Sequence, residues 1–477
     1  MNKSLKHALL RGPLFWAGCL ILIAMAGIGV WRLSGARGDR TDANLAPGSR
    51  DFTIFLLGGS TAFGEPYAPR ADFGRIVSRL WDGRFNGRPI RVVNLGEPGK
   101  PARDAIAHAR RISRTRFEAG TAVAFLYLGN NEFLRLDGRP DLRAQGRPLF
   151  DQPTVTPAEK EQVFRDYAAT IEEIIDTLEA AGIGVIVSTI AVNMKDWEPN
   201  RSVLHDPADG PAVKGLLLDG DRKLEAGQTE AALKDYLRIL ELEPAFALAW
   251  KKAGDCHRLS GRFDDARTCY QKAVDEDGSP YREISEQTRI LREICARRRV
   301  PVVDAVKILE SATTDGLLGF EFLWDNCHPT LEGYARIARG FAETMREMFG
   351  EQRRPAEIDM TALERALRID RSFTREVIAG RGQYCYMMAT MTWNPSERLK
   401  RGELYLKQAM EMGPRDAGIL CSLAILTALQ GRAESSLATW REAYRLDPKT
   451  TLQRAGHPFV REILRRDGIE DLPAMIR

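Results

Sequence analysis

The sequence has few of the residues that build metal centres and redox sites. It contains 7 cysteines and 6 histidines among 477 residues. No two cysteines stand in a C-x-x-C spacing, so neither a zinc site nor a thiol–disulfide motif is indicated. Cys256, Cys269, Cys295, Cys327, Cys385 and Cys421 are expected as small core residues. An excess of one charge is also lacking. The formal net charge is +4, basic clusters such as Arg297–Arg299 are short, and no nucleic-acid partner is expected. Long apolar runs are absent but for Leu14–Trp31, which carries no charge and approaches the roughly 20 residues that span a bilayer. Lys3, Lys6 and Arg11 precede it, which favours an inside amino end and an extracytoplasmic (periplasmic) remainder. A cleaved signal peptide is the rival, because Ala24-Met25-Ala26 offers small residues. The apolar run continues past that point, so an uncleaved single-pass anchor over 13–32 is expected, after a short cytoplasmic segment 1–12. Cys19 lies inside the run rather than after it, against a lipid-modified cysteine.

Beyond a Gly-, Arg-, Asp- and Pro-rich linker to residue 50, strand and helix patterns alternate. Ile54–Leu57, Ile90–Leu95, Ala122–Leu128, Gly184–Ile190 and Val300–Val306 read as strands. Ala71–Trp81, Pro101–Thr115, Phe164–Ala181 and Ile284–Ala296 read as helices. This predicts an α/β domain, a parallel sheet between two helical layers.

The alternation breaks after residue 205. Gly220, Gly227, Ala232, Tyr236 and Pro244 are matched at a period of 34 by Gly254, Gly261, Ala266, Tyr270 and Gly278. Trp250 occupies the tryptophan position of a tetratricopeptide repeat, whose period is 34 residues. Small residues at these positions let paired helices approach. The expected organisation is α/β residues 51–205, a repeat insertion 206–278, α/β residues 279–352 and a helical repeat region 353–477. In the last, Ala409 and Ala443, and Pro414 and Pro448, keep the same period, and Trp440 supplies the aromatic.

Four polar clusters fall at or beyond the carboxyl ends of strands, where open α/β sheets hold ligands. They are Gly58-Gly59-Ser60-Thr61, Asn94–Gly99, Gly129-Asn130-Asn131-Glu132 and Asp325-Asn326-Cys327-His328. A nucleophilic serine needs a base, an acid to orient it and donors for the oxyanion. Ser60, His328 and Asp325 supply the first three. The backbone amides of Ser60 and Gly99 and the side-chain amide of Asn131 supply the donors. The plainer alternatives are that Asp325 caps a helix opened by Pro329, that His328 begins that helix, and that Gly129 and Asn131 are turn residues.

The four clusters, in this order, resemble the four blocks of the SGNH (GDSL-type) hydrolases over roughly 51–200 and 281–349. The resemblance implies a flavodoxin-like three-layer domain, a Ser60–His328–Asp325 triad with Gly99 and Asn131 at the oxyanion, and no metal or organic cofactor. Gly59 stands where the family has the aspartate of G-D-S, and Glu132 where the third block more often has aspartate. The expected activity is a membrane-anchored serine esterase for O-acyl or O-acetyl esters on a carbohydrate or lipid. Two alternatives are an O-acyltransferase to an envelope polysaccharide on the same triad, and a scaffold with a vestigial site that binds a protein partner through its repeats. The loop from Phe133 to Pro157 is expected to overhang the site as a lid.

Overall fold

The computed structural model describes residues 50–134, 136, 153–392, 394–466, 468–469 and 472–476. The expected anchor at 13–32, the linker and most of the expected lid lie outside these residues. Among the described residues, no helix is long and apolar enough to cross a membrane. They divide into two compact units, one holding residues up to 368 and the other beginning at Ile369.

The first unit is built on a six-stranded sheet of order β2-β3-β1-β4-β5-β6. The strands are β1 Phe52–Gly58, β2 Arg84–Phe85, β3 Arg88–Asn94, β4 Ala122–Tyr127, β5 Gly184–Ser188 and β6 Val302–Val303. All adjacent pairs are parallel except β2–β3. β1 and β4 are wholly buried, because helices cover both faces, and their side chains are apolar or aromatic but for Thr53, whose hydroxyl accepts from Arg91. Phe55, Leu57, Ala124, Leu126 and Val187 face helices α3 Ala102–Ile112, α4 Pro157–Ala180 and α9 Ser285–Arg298. On the opposite face Phe125 stacks on Phe341 of helix α11 Leu331–Phe349 at 4.4 Å between ring centroids, and Phe73 of helix α2 Phe73–Leu80 packs against Tyr127 at 5.1 Å. Alternate residues of each strand therefore feed two separate apolar layers.

Two details differ from the sequence pattern. Residues 84–89 form a hairpin, with Asn86 and Gly87 both at positive φ, the geometry that Asn-Gly favours in a two-residue turn. β6 is only two residues long because Asp304 ends it. Its carboxylate accepts from Lys307 N and Thr189 Oγ1 and caps helix α10 Ala305–Glu310.

Between β5 and α9 the chain leaves the sheet for four helices: α5 Gly210–Glu225, α6 Thr229–Leu242, α7 Ala247–Leu259 and α8 Phe263–Asp275. The 34-residue match is a packing match. A Cβ on Gly220 would stand 2.7 Å from the Tyr236 ring, and one on Gly254 2.7 Å from the Tyr270 ring. Each glycine admits the tyrosine of the following helix. The chain enters and leaves this excursion at one place. The Asp277 carboxylate, 1 % exposed, accepts from the backbone N–H groups of Asn200, Arg201 and Ser279.

The α/β unit continues past residue 353. Ala356 N–H donates to Leu80 O at 2.8 Å, Arg353 lies over the Trp81 ring, and helix α12 Met360–Leu367 follows in the same unit. The second unit is helical. Its first hairpins are Arg371–Ala389 with Ser396–Glu411 and Ala417–Leu429 with Ala433–Leu446. Ala409, Trp440 and Ala443 are fully buried there.

Candidate active site

β1 ends at Gly58, which pairs with Tyr127 of β4. A Cβ on Gly58 would lie 2.2 Å from Tyr127 O and 2.7 Å from Ala62 Cβ, so only glycine lets the chain turn at once out of the sheet. It turns into a single helical turn, α1 Ser60–Phe63. Ser60 opens that turn, so its own amide has no intrahelical acceptor. Contacts from Asn94 and Tyr334 fix the turn. Asn94 Nδ2, at the end of β3, donates to Ala62 O, Phe63 O and the Asp72 carboxylate at 3.0–3.1 Å. Tyr334 Oη lies 2.9 Å from Thr61 O and 2.7 Å from Glu65 O.

His328 and Asp325 arrive on a tight loop. Trp324 N donates to His328 O at 2.8 Å and Thr330 N to Phe322 O at 2.8 Å, which pinches the loop shut. Its tip is organised by Asp325, whose Oδ1 accepts from the backbone N–H groups of Cys327 and His328 at 3.0 and 2.9 Å. The following helix α11 is capped by Thr330, whose hydroxyl accepts from Gly333 N. The helix-cap alternative for Asp325 and the helix-start alternative for His328 are therefore excluded by this geometry.

The three side chains meet. His328 Nε2 lies 2.8 Å from Ser60 Oγ, and Nδ1 lies 2.9 Å from both Asp325 carboxylate oxygens. Asp325 is 1 %, His328 5 % and Ser60 9 % exposed. With the Nδ1 proton directed to the carboxylate, Nε2 is left to accept from the serine hydroxyl. Burial disfavours the His328 imidazolium, but the Asp325 charge and hydrogen bond outweigh it and raise the group above its ordinary value. The arrangement thus favours the cation that forms when serine gives up its proton.

Donor atoms of Asp325, Cys327 and His328 lie within 4.8 Å of one another, the spacing of a metal-ligand group. His328 also bridges Asp325 and Ser60, so the same side chains form a chain of contacts along which a proton can pass.

Of the oxyanion candidates, Asn131 lies against Gly59. A Cβ there would stand 2.5 Å from Asn131 Nδ2 and 3.5 Å from Lys100 O. Asn131 Nδ2 donates to Lys100 O at 3.0 Å, so the amide is held beside the residue that precedes Ser60. A Cβ at 59 would therefore require the Asn131 amide to shift. Gly99 stands one residue before Lys100, at φ +71, on a loop tied back to the sheet by Glu97 N donating to Gly58 O at 2.9 Å. No distance brings the Gly99 amide directly to Ser60.

Glu132 has a structural task. Its carboxylate accepts from Ala102 N at 2.9 and 3.2 Å, capping α3, whose own N-cap is Pro101 without a side-chain acceptor. Burial pushes Glu132 up to about 7. Nearby Glu283 is also buried and is pushed up to about 8. Sequence reasoning missed Asn94, Tyr334 and Glu283 as supports of the site. Asn94 opens the second block and was available as a signal, whereas the other two belong to no motif.

Residues 217–281 match the family model described as a tetratricopeptide repeat. A search of curated proteins found no match. Among solved structures, the chain is similar to a GDSL-like lipase from Bacteroides thetaiotaomicron, at 12% identity and TM-score 0.31, covering 64% of this chain and 94% of that one. It is similar to a lipase/acylhydrolase from Enterococcus faecalis, at 15% identity and TM-score 0.30, covering 64% and 99%. A member of the lipolytic G-D-S-L family from Veillonella parvula is similar at 15% identity and TM-score 0.29, covering 61% and 96%.

Proposed function

We propose that the chain is a serine ester hydrolase in which Ser60 is the nucleophile, His328 the general base and Asp325 its orienting acid. The observation that carries this reading is the continuous line Ser60 Oγ–His328 Nε2–Asp325 through contacts of 2.8 and 2.9 Å. In the reaction Ser60 Oγ attacks the ester carbonyl while His328 takes its proton. The proton then goes to the departing alcohol as the ester C–O bond breaks, leaving an acyl-serine. Water, deprotonated by the same imidazole, releases the acid and restores Ser60. The Ser60 amide and Asn131 Nδ2 stabilise the tetrahedral oxyanion, with the Gly99 amide as the third candidate donor. The four sequence blocks support O-acyl or O-acetyl esters of a carbohydrate or lipid as the substrate class. The N-terminal apolar run supports an anchored, extracytoplasmic enzyme, and a periplasmic reporter fused after residue 50 that stays inactive would count against that placement.

The test is hydrolysis of p-nitrophenyl acetate and butyrate by the full chain beside Ser60→Ala. The variant is expected to lose about 10⁴-fold or more in kcat and all labelling by a fluorophosphonate. A wild-type chain with neither turnover nor labelled Ser60 defeats the reading in favour of a repeat scaffold. Labelling without turnover points to the acyltransferase.

A further inference from the structure

The segment that carries the chain out of the repeat insertion runs directly behind the catalytic loops. Starting at the buried Asp277 junction, it passes Tyr281, Arg282 and Glu283 and enters α9, where Gln287 is fully buried. Along this path it bonds to both loops. Asn326 Nδ2, next to Asp325, donates to Tyr281 O. Glu283 N donates to Asn130 Oδ1 at 3.4 Å. Gln287 Nε2 donates to Gly129 O at 2.9 Å, while its Oε1 accepts from Ile284 N at 3.2 Å. Arg282 reaches Asn193 O and Trp197 O, and Asn193 N in turn donates to Asn326 O at 2.9 Å.

We infer that this exit segment is the brace that sets the catalytic geometry, with Gln287 the positioning residue for the oxyanion donor Asn131. The inference deepens the esterase reading and rests on it.

The argument is one of reach. Gly129 is at φ +148, and its peptide directs the next two residues. Asn131 Nδ2 needs to lie within hydrogen-bond distance of an oxygen that becomes charged only in the transition state. The Gln287 amide holds Gly129 O from one side and Ile284 N from the other, so the turn after β4 has one position relative to α9. A misplacement of about 1 Å costs about 100-fold in rate. Substrate binding in the ground state does not depend on that donor, so the loss falls on kcat.

Gln287→Glu tests this without changing the size of the side chain. An ionised carboxylate still accepts from Ile284 N but opposes Gly129 O instead of donating to it. The expected result in the full chain is a kcat for p-nitrophenyl acetate reduced about 10- to 100-fold at about pH 9.5, above the range to which burial raises the neighbouring Glu283 and Glu132, with KM within a factor of two. The deficit relative to wild type narrows as the pH is lowered, because the protonated carboxyl donates again. Gln287→Met should show the same kcat loss without recovery at low pH, and it serves as the second variant where the carboxylate prevents folding. Wild-type kcat in both variants at every pH, or a loss confined to KM, overturns the inference. Wild-type turnover is the control for the reading beneath it: a silent wild type defeats the esterase, whereas an active wild type with unaffected variants defeats only the brace.

Discussion

In the repeat insertion one contact is made twice. Tyr236 Oη donates to Asp221 at 2.7 Å and Tyr270 Oη to Asp255 at 2.8 Å, each pair 15 residues apart. At the catalytic edge each contact is made once and joins distant parts of the chain: Ser60 to His328 across 268 residues, Gln287 to Gly129 across 158. Both regions bury polar groups, but they share risk differently. A repeated local contact spreads stability over interchangeable units. A single long-range contact concentrates function in one atom pair. Substitutions in the insertion should therefore act weakly and additively on stability, and those at the edge strongly and non-additively on rate.

The largest effects that would sharpen this contrast are at the oxyanion. Asn131→Ala should lower kcat by about 10²–10³-fold, measured on the same p-nitrophenyl esters. Gly59→Ala should approach the same loss by displacing Asn131, and the double variant should be no worse than Asn131→Ala alone. Losses that multiply would break the picture of Gly59 as clearance for that amide.

Next comes a pH effect from the buried acids behind the edge. Burial raises Glu283 to about 8, above its ordinary unfolded value near 4.3. A raised folded pKa means that the unfolded chain releases its proton first as pH rises. The contribution of Glu283 to stability is thus complete below about pH 4 and is lost as pH rises through about 8. Chemical denaturation from pH 5 to 9 should record a decline of a few kcal/mol. Glu283→Gln, neutral throughout, should make it shallower, leaving the part that Glu132, raised to about 7, contributes. An equally steep decline in the variant would assign the effect elsewhere.

The smallest effects belong to the repeats. Tyr236→Phe and Tyr270→Phe should each cost about 1 kcal/mol and add in the double variant, with kcat unchanged. A marked drop in kcat from either would show that the two regions do not differ as described.

The same contrast explains what could be read before the fold was known. The repeats were legible because their contacts are local and periodic: Gly220 and Gly254 announce a packing that Tyr236 and Tyr270 complete. Ser60, Asp325 and His328 were legible as candidates because Ser60 directly follows β1 and Asp325 and His328 share one loop. Gln287 and Glu283 carried no such signal, since their partners lie on another element and any helix accepts a glutamine or glutamate. The length of β6 was misjudged for a similar reason. Val300–Val306 is apolar enough for a strand, and only the capping bonds of Asp304 end it. Asn86-Gly87 is a plain sequence signal for the hairpin that precedes β3.

The junction at Asp277 has a consequence for how such a chain can change. Because Asn200, Arg201 and Ser279 are gathered by one carboxylate, the insertion leaves and rejoins the sheet domain as if through a socket. Further helix pairs spliced between its ends would lengthen the repeat array without moving β5 or α9. Such an addition keeps the host contacts in place only if it returns the chain through the same doorway to Gln287.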